Sequence, residues 1–212
     1  NKHINERNKS ERRFFKKFVQ NNKKYKFNTL KNGEINTDEV INLIKTKKVN
    51  FIVSYGCSIV KKKFINTFKN KFLNIHLGLS PYYKGSGTNF FPFVNNELQF
   101  CGSTIMKISS KLDSGKILHQ IRPEIRMEDD IHSVGNKIIK QTVHDLCKIL
   151  LKKKPLKYYS IKTNYKTKTY KRKDFNKKKL LKALINLKNN MITKYLLNKN
   201  NLYKKYPIIK QL

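Results

Sequence analysis

The stretch "NFIVSYGCSIVKKKFINTFKNKFLNIH", residues 50–76, decides how this chain folds. Its first part, closing at Gly56, is a continuous apolar run of the kind expected for a strand buried on both faces of a parallel sheet. "FINTF" at 64–68 has the spacing of a short helix, and "FLNIH" at 72–76 is a second buried strand. Strand, helix and strand at this distance make a βαβ unit with a right-handed crossover. Ligands of open α/β sheets gather at the carboxyl ends of the strands. Gly56 stands at one such end and Asn74 with His76 at the next. Two positions apart on a strand, the amide and the imidazole point to one side. They stand at the lip of a Gly-rich loop, "LGLSPYYKGSGTN", residues 77–89.

Upstream, residues 1–26 read as a basic helix that docks through Phe14, Phe15, Phe18 and Val19, which share one stripe. "KFNTL" at 26–30 is a short strand candidate. In "NGEINTDEVINLIKTKK", Asn36 is placed to cap a helix with Glu39 three residues on, and Val40, Leu43 and Ile44 form its buried face. Downstream, "FCGSTIMKI" and "KILHQIRPEI" are β-rich runs separated by "SSKLDSG". Residues 129–154 form a long amphipathic helix with Val134, Ile138, Val143, Leu146 and Leu150 near one face. From Pro155 the chain is Lys-rich, with a Tyr-alternating strand or hairpin at "YKTKTYKRKDF" and a second helix over 176–197 capped by Asn176. The expected division is a catalytic unit over 1–154 and a Lys-rich extension over 155–212.

Composition narrows the classes. The 212 residues are 38% hydrophobic, and no apolar run approaches the roughly 20 residues that cross a bilayer. No membrane association is expected. The chain opens on Asn1 rather than Met, which reads as a fragment or a processed start. Cys57, Cys101 and Cys147 lie far apart without a CxxC pair, which fits a reducing cytoplasm and excludes a disulfide framework or zinc knuckle. The five histidines form no H-x-x-x-H pair, so no metal is expected. A formal charge of +35 ordinarily points to nucleic acid, yet only six of the 48 basic residues are Arg. Readers of phosphate and bases favour the planar fork of Arg. Compositional drift toward Lys is the favoured reading, and a polyanion partner the less favoured one.

The chemistry lies in a combination. Asp113, in the turn "KLDSGK", is taken alone a turn former, and His76 alone a structural histidine. Together with Asn74 on one rim, they suggest acyl transfer. The residues "FLNIHLGLSPYYKGSGTN", then "GSTI" and "KLDSGKI", resemble the folate-dependent formyltransferases, which include glycinamide ribonucleotide, methionyl-tRNA and amino-sugar N-formyltransferases. The family pattern of N-x-H, a loop "SLLP-x-x-[RK]-G" and a later D-x-G falls here on Asn74 and His76, on Leu79-Ser80-Pro81 through Lys84-Gly85, and on Asp113 and Gly115. The likeness covers about residues 34–150, including "VNFIVSYGCSIV". The family's first strand and Gly-rich turn have no counterpart at 1–30, and the loop reads "LGLSP" where relatives more often carry "PSLLP".

The resemblance implies an α/β fold with a Rossmann-like open, mostly parallel sheet and flanking helices, the N-terminal strand missing, plus a basic C-terminal helical extension. It implies 10-formyltetrahydrofolate as donor, no metal, and a primary amine as acceptor, read first as an amino sugar or other small metabolite. Methionyl-tRNA and glycinamide ribonucleotide are the alternatives within the family. A non-catalytic polyanion-binding protein and a formate-releasing hydrolase stand outside that reaction. By the same match, Asn74 and His76 donate to the oxyanion, and Asp113 raises the pKa of His76 and relays a proton. The pterin slot falls between Ser58, Ile59 and Val60 on one side and Ser110, Lys111 and Leu112 on the other. Lys84, Gly85, Gly87 and Asn89 border the acceptor. Oligomeric state is left open.

Overall fold

The computed structural model describes residues 2–19, 27–152 and 155–212. Helix α1 (Lys2–Val19) packs on the later helix α5 (Ile131–Leu151), where Asn136 Nδ2 donates to Ser10 Oγ at 3.0 Å and the Lys140 ammonium sits over the Phe18 ring. The expected run of this helix through residues 20–26 lies outside the described residues. Phe27 to Leu30 form no strand and are exposed, so the candidate at "KFNTL" is corrected for those positions. Helix α2 (Asp38–Thr46) is capped by Thr37, whose hydroxyl accepts from the Val40 N–H. Asn36, the expected cap, instead accepts from Lys61 N–H at 2.6 Å and donates to the Ile59 carbonyl at 2.9 Å. That one-residue shift turns Ile41 inward beside Val40 and leaves Leu43 half in water.

Strand β1 (Ile52–Tyr55), helix α3 (Lys62–Phe68) and strand β2 (Phe72–His76) form the βαβ unit, with β1 and β2 parallel. A short strand β3 (Tyr83–Gly85) and helix α4 (Phe91–Asn95) follow, then β4 (Ser103–Lys107) and β5 (Ile117–Ile121). The main sheet has the order β1-β2-β4-β5. The open, Rossmann-like α/β sheet with flanking helices is present, and its directions are mixed, because β4 pairs antiparallel with both β2 and β5. The β4–β5 link, residues 108–116, is too short for the crossover that parallel neighbours require. Strand β1 is the sheet edge, so its expected burial on both faces is corrected. Only Ser54 is buried, while Val53 and Tyr55 are 40% and 51% exposed.

Consecutive residues of β2 face opposite ways and seed two cores. Phe72 joins Ile41, Phe64 and Phe68 beneath α2 and α3, and Leu73 joins Ile105, Leu118, Leu146 and Ile149 beneath α5. Helix α5 starts on Asp130, whose carboxylate accepts from His132 and Ser133 N–H. Thr142, bonded to Ser103, takes the inward place expected of Val143, which is 53% exposed.

The Tyr-alternating segment yields one strand, β6 (Lys168–Tyr170), pairing parallel with β3 rather than folding into a hairpin. Gly85 makes that contact possible: its φ is +90°, and a Cβ there would lie 2.0 Å from the Tyr170 carbonyl oxygen. The expected single C-terminal helix is two, α6 (Lys177–Lys188) and α7 (Met191–Lys205), broken where Asn190 adopts the left-handed conformation. Asn176 caps α6 as expected, accepting from Lys179 N–H. Ala183, Met191, Ile192 and Tyr195 are buried in the same core as Tyr83, Phe91, Phe93 and Leu98. Glu97 fastens the two segments, taking hydrogen bonds from Tyr83, Tyr165 and Lys168. The last residues lie against β5, with Gln120 N–H donating to the Ile209 carbonyl and Gln211 N–H to His119 Nδ1.

Candidate active site

The carboxyl ends of β1 and β2 open into a cleft of about 1130 Å³. Asn74, His76 and Asp113 all line it. Asn74 is in register with Ser54 across the parallel ladder, and the buried Ser54 hydroxyl donates to Asn74 Oδ1 at 2.8 Å. The amide N–H₂ therefore has no protein partner among the described residues. His76 is 6% exposed. Its Nε2 is 3.0 Å from the Tyr83 carbonyl oxygen and its Nδ1 is 3.4 Å from Asp113 Oδ2.

The turn that carries Asp113 is held from several sides. Asp113 has a φ of +43°, a left-handed conformation that Asp tolerates better than most side chains. Gly115 backs onto β4 so closely that a Cβ would lie 1.7 Å from the Lys107 carbonyl oxygen. Gly85 N–H donates to Asp113 Oδ2 at 2.8 Å, and Ser80 Oγ donates to the Asp113 carbonyl at 3.2 Å. The carboxylate thus keeps Oδ1 without a protein partner among the described residues.

Burial lowers the pKa of His76 below its ordinary 6.5, opposed by the Asp113 carboxylate and the Tyr83 carbonyl and aided by Lys84. The expected upward pull of Asp113 is present, but desolvation outweighs it. A neutral ring carries one N–H, and the shorter contact assigns it to Nε2 facing Tyr83. Nδ1 and Asp113 Oδ2 then face each other as two acceptors with a vacancy for one proton. Such a pair can take a proton from a reacting amine and pass it on.

The other expected residues separate. Gly85, Gly87 and Asn89 line the cleft. Asn89 Oδ1 accepts from Gly102 N–H at 3.1 Å, and its Nδ2 is buried without a partner among the described residues. Lys84 turns to Ser114 Oγ at 2.6 Å, which corrects its expected place on the acceptor border to a brace of the Asp113 turn. Of the pterin-slot residues, Leu112 lines the cleft. Ser58, Ile59 and Val60 do not line it, because Asn36 fastens the Ile59 carbonyl away from it and Val60 packs toward the Phe64 core. Ser110 and Lys111 lie on the exposed outside of their turn. Tyr55, Gly56 and Cys57 take the β1 side instead.

Sequence reasoning missed Ser54, and also His3 and Arg7 of α1 and Tyr170 and Phe175 beyond β3, which complete the walls. The β1–β2 register could have disclosed Ser54. No local pattern marks the other four. Among the described residues no group of His, Cys, Asp and Glu could hold a metal ion, and no helix is long and apolar enough to cross a membrane.

Residues 2–150 match the family model described as "Formyl transferase". The chain belongs to the formyl transferase family. The match begins well before the likeness seen in the sequence and takes in α1. Methionyl-tRNA formyltransferase of Finegoldia magna is 31% identical over 120 residues, covering 52% of this chain and 38% of that protein. The corresponding protein of Pelagibacter ubique is 33% identical over 87 residues, covering 41% of this chain and 27% of that one. This family member thus spans about a third of the length of the curated relatives it matches. A solved sugar N-formyltransferase from Shewanella superimposes with a TM-score of 0.53 at 20% identity, covering 71% of this chain and 66% of that one. A phosphoribosylglycinamide formyltransferase from Anaplasma phagocytophilum gives 0.50 at 21%, covering 64% and 68%. At such identities the two structures establish the shared fold.

Proposed function

We propose that this chain transfers a formyl group from 10-formyltetrahydrofolate to a primary amine, with Asn74, His76 and Asp113 at the reacting centre. The observation that carries this reading is that all three line one cleft, with the Asp113 carboxylate 3.4 Å from the His76 ring. The family match supports the reaction class. Two ligands must lie side by side, and about 1130 Å³ exceeds the ~300–1,000 Å³ of ordinary small-ligand pockets. Tyr55, Cys57 and Leu112 offer walls for a flat pterin, so the residues present fit the donor.

The bound donor supplies an activated formyl carbon. As an amine adds to that carbon, charge gathers on the formyl oxygen and the nitrogen must shed a proton. The Asn74 N–H₂ group donates to the oxygen, a contact worth roughly 10²- to 10³-fold in rate. Asp113 takes the proton and passes it to the leaving nitrogen as the bond between that nitrogen and the formyl carbon breaks, with His76 Nδ1, 3.4 Å from Oδ2, as the second acceptor in reach. General acid–base help of this kind contributes about 10²- to 10⁴-fold. His76 serves as a second donor when its Nε2–H turns from the Tyr83 carbonyl.

The acceptor read first is an amino sugar or similar small amine, bordered by Gly85, Gly87 and Asn89, and the site of action is the cytoplasm. A second reading, methionyl-tRNA, is favoured by the sequence relatives and by the +35 charge. The test is release of tetrahydrofolate when the protein meets the formyl donor with an amino-sugar nucleotide, glycinamide ribonucleotide or methionyl-tRNA. Turnover with a small amine supports the first reading, and turnover with tRNA alone, weakening steeply with salt, supports the second. No release with any amine overturns formyl transfer.

A further inference from the structure

Asn74 can donate to a developing oxyanion only if its amide presents nitrogen, not oxygen, to the cleft. The side-chain amide has two nearly equivalent ends, and rotating it by half a turn would face a carbonyl oxygen toward the reacting oxygen. That arrangement repels where the other attracts. Strand geometry fixes which side of the sheet Asn74 is on, but not which end of the amide points outward.

Ser54 supplies the missing constraint. It is the only buried residue of β1, sits directly across the parallel ladder from Asn74, and is 7% exposed. Its hydroxyl carries one proton and has two acceptors in reach, Asn74 Oδ1 at 2.8 Å and the Leu73 carbonyl at 3.4 Å. The closer acceptor takes it. With Oδ1 engaged, the N–H₂ end is the one left for the cleft.

We propose that Ser54 is a positioning residue that orients the Asn74 amide, through a single hydrogen bond across the edge ladder, so that its donor end meets the reacting oxygen. Ser54 itself does not line the cleft. The inference rests on the formyl-transfer reading above for its kinetic consequence, while the contact itself is testable without turnover. Removing the hydroxyl frees the amide to rotate and leaves ground-state binding of the donor intact. The loss then falls on the chemical step.

The experiment compares Ser54→Ala, Ser54→Thr, Asn74→Ala and the Ser54→Ala/Asn74→Ala double variant, reading kcat and KM for the formyl donor and the ¹⁵N-resolved side-chain amide signals of Asn74. Ser54→Ala lowers kcat about three- to tenfold, the size of one lost hydrogen bond, with KM unchanged. Ser54→Thr, which keeps the hydroxyl, restores most of the rate. The double variant is no slower than Asn74→Ala alone, because Ser54 acts only through that amide. The Asn74 amide signals shift in Ser54→Ala and return in Ser54→Thr. An equal loss from Ser54→Ala in the Asn74→Ala background, or amide signals unmoved by Ser54→Ala, overturns the proposal. Absence of turnover in the unaltered protein overturns the formyl-transfer reading instead, and the amide signals then decide the Ser54 contact by themselves.

Discussion

At the level of single residues, the site is governed by what burial does to charge. His76 and His119 are both buried, and in both desolvation lowers the pKa below 6.5 against the pull of a carboxylate, Asp113 for one and Asp145 for the other. The unfolded chain therefore binds protons before the folded one does. Their contribution to stability is complete above about pH 6.5 and is lost as pH falls through the window down to the lowered folded values. Urea midpoints measured from pH 7.5 to pH 5 are expected to fall on the acid side, with a shallower slope in His119→Gln. Asp113→Asn keeps an acceptor for the Gly85 N–H but cannot take a proton. It is expected to lower kcat about 10²- to 10⁴-fold while the protein melts near its original temperature, read by kinetics and thermal unfolding together. Asn74, His76 and Asp113 were legible in the sequence because their spacing is fixed by one strand and one tight turn. Ser58 to Val60 were not, since the path after Gly56 is dictated by Asn36, a residue more than twenty positions earlier.

Among the elements, the βαβ unit was legible because its apolar runs and short helix are local. The exposure of β1 was not, because an edge strand and a central one can share the same apolar run. The β3–β6 ladder had no signal at all, joining segments far apart in the chain through main-chain bonds. Gly85 is where that ladder is most vulnerable. Gly85→Ala would set a methyl group against the Tyr170 carbonyl and hold a non-glycine residue at a φ of +90°. The expected cost is about 1–3 kcal/mol from the backbone alone. Denaturant unfolding should report it, with loss of near-ultraviolet signal from Tyr170, which stacks on Phe91 at 3.6 Å between ring centroids. Unchanged stability would mean that β6 can leave β3 without consequence.

For the whole molecule, the residues after Pro155 are part of what makes the rest a folded body. Tyr195, Met191, Ile192 and Ala183 fill the core around Phe91, Phe93 and Leu98, and Tyr170 and Phe175 wall the cleft. A chain cut after residue 154 would expose large aromatic side chains that folding normally buries, each worth about 1.5–3 kcal/mol in transfer. It is expected to lose its cooperative thermal transition and to be cut rapidly by protease, which differential scanning calorimetry and limited proteolysis would record. A truncated chain that melts cooperatively would show that the first part stands alone. The many Lys residues of this segment hid its packing role, since they are interspersed among its apolar residues.

The pairing of β3 with β6 and the docking of Ile209 on Gln120 have a consequence for birth on the ribosome. Translation delivers Asn74, His76 and Asp113 well before it delivers Tyr170, and β5 is made well before Ile209, which docks on it. A nascent chain that has just emerged as far as Asp113 therefore lacks two walls of its cleft, and the enclosure closes only after Tyr170 and Phe175 have left the exit tunnel.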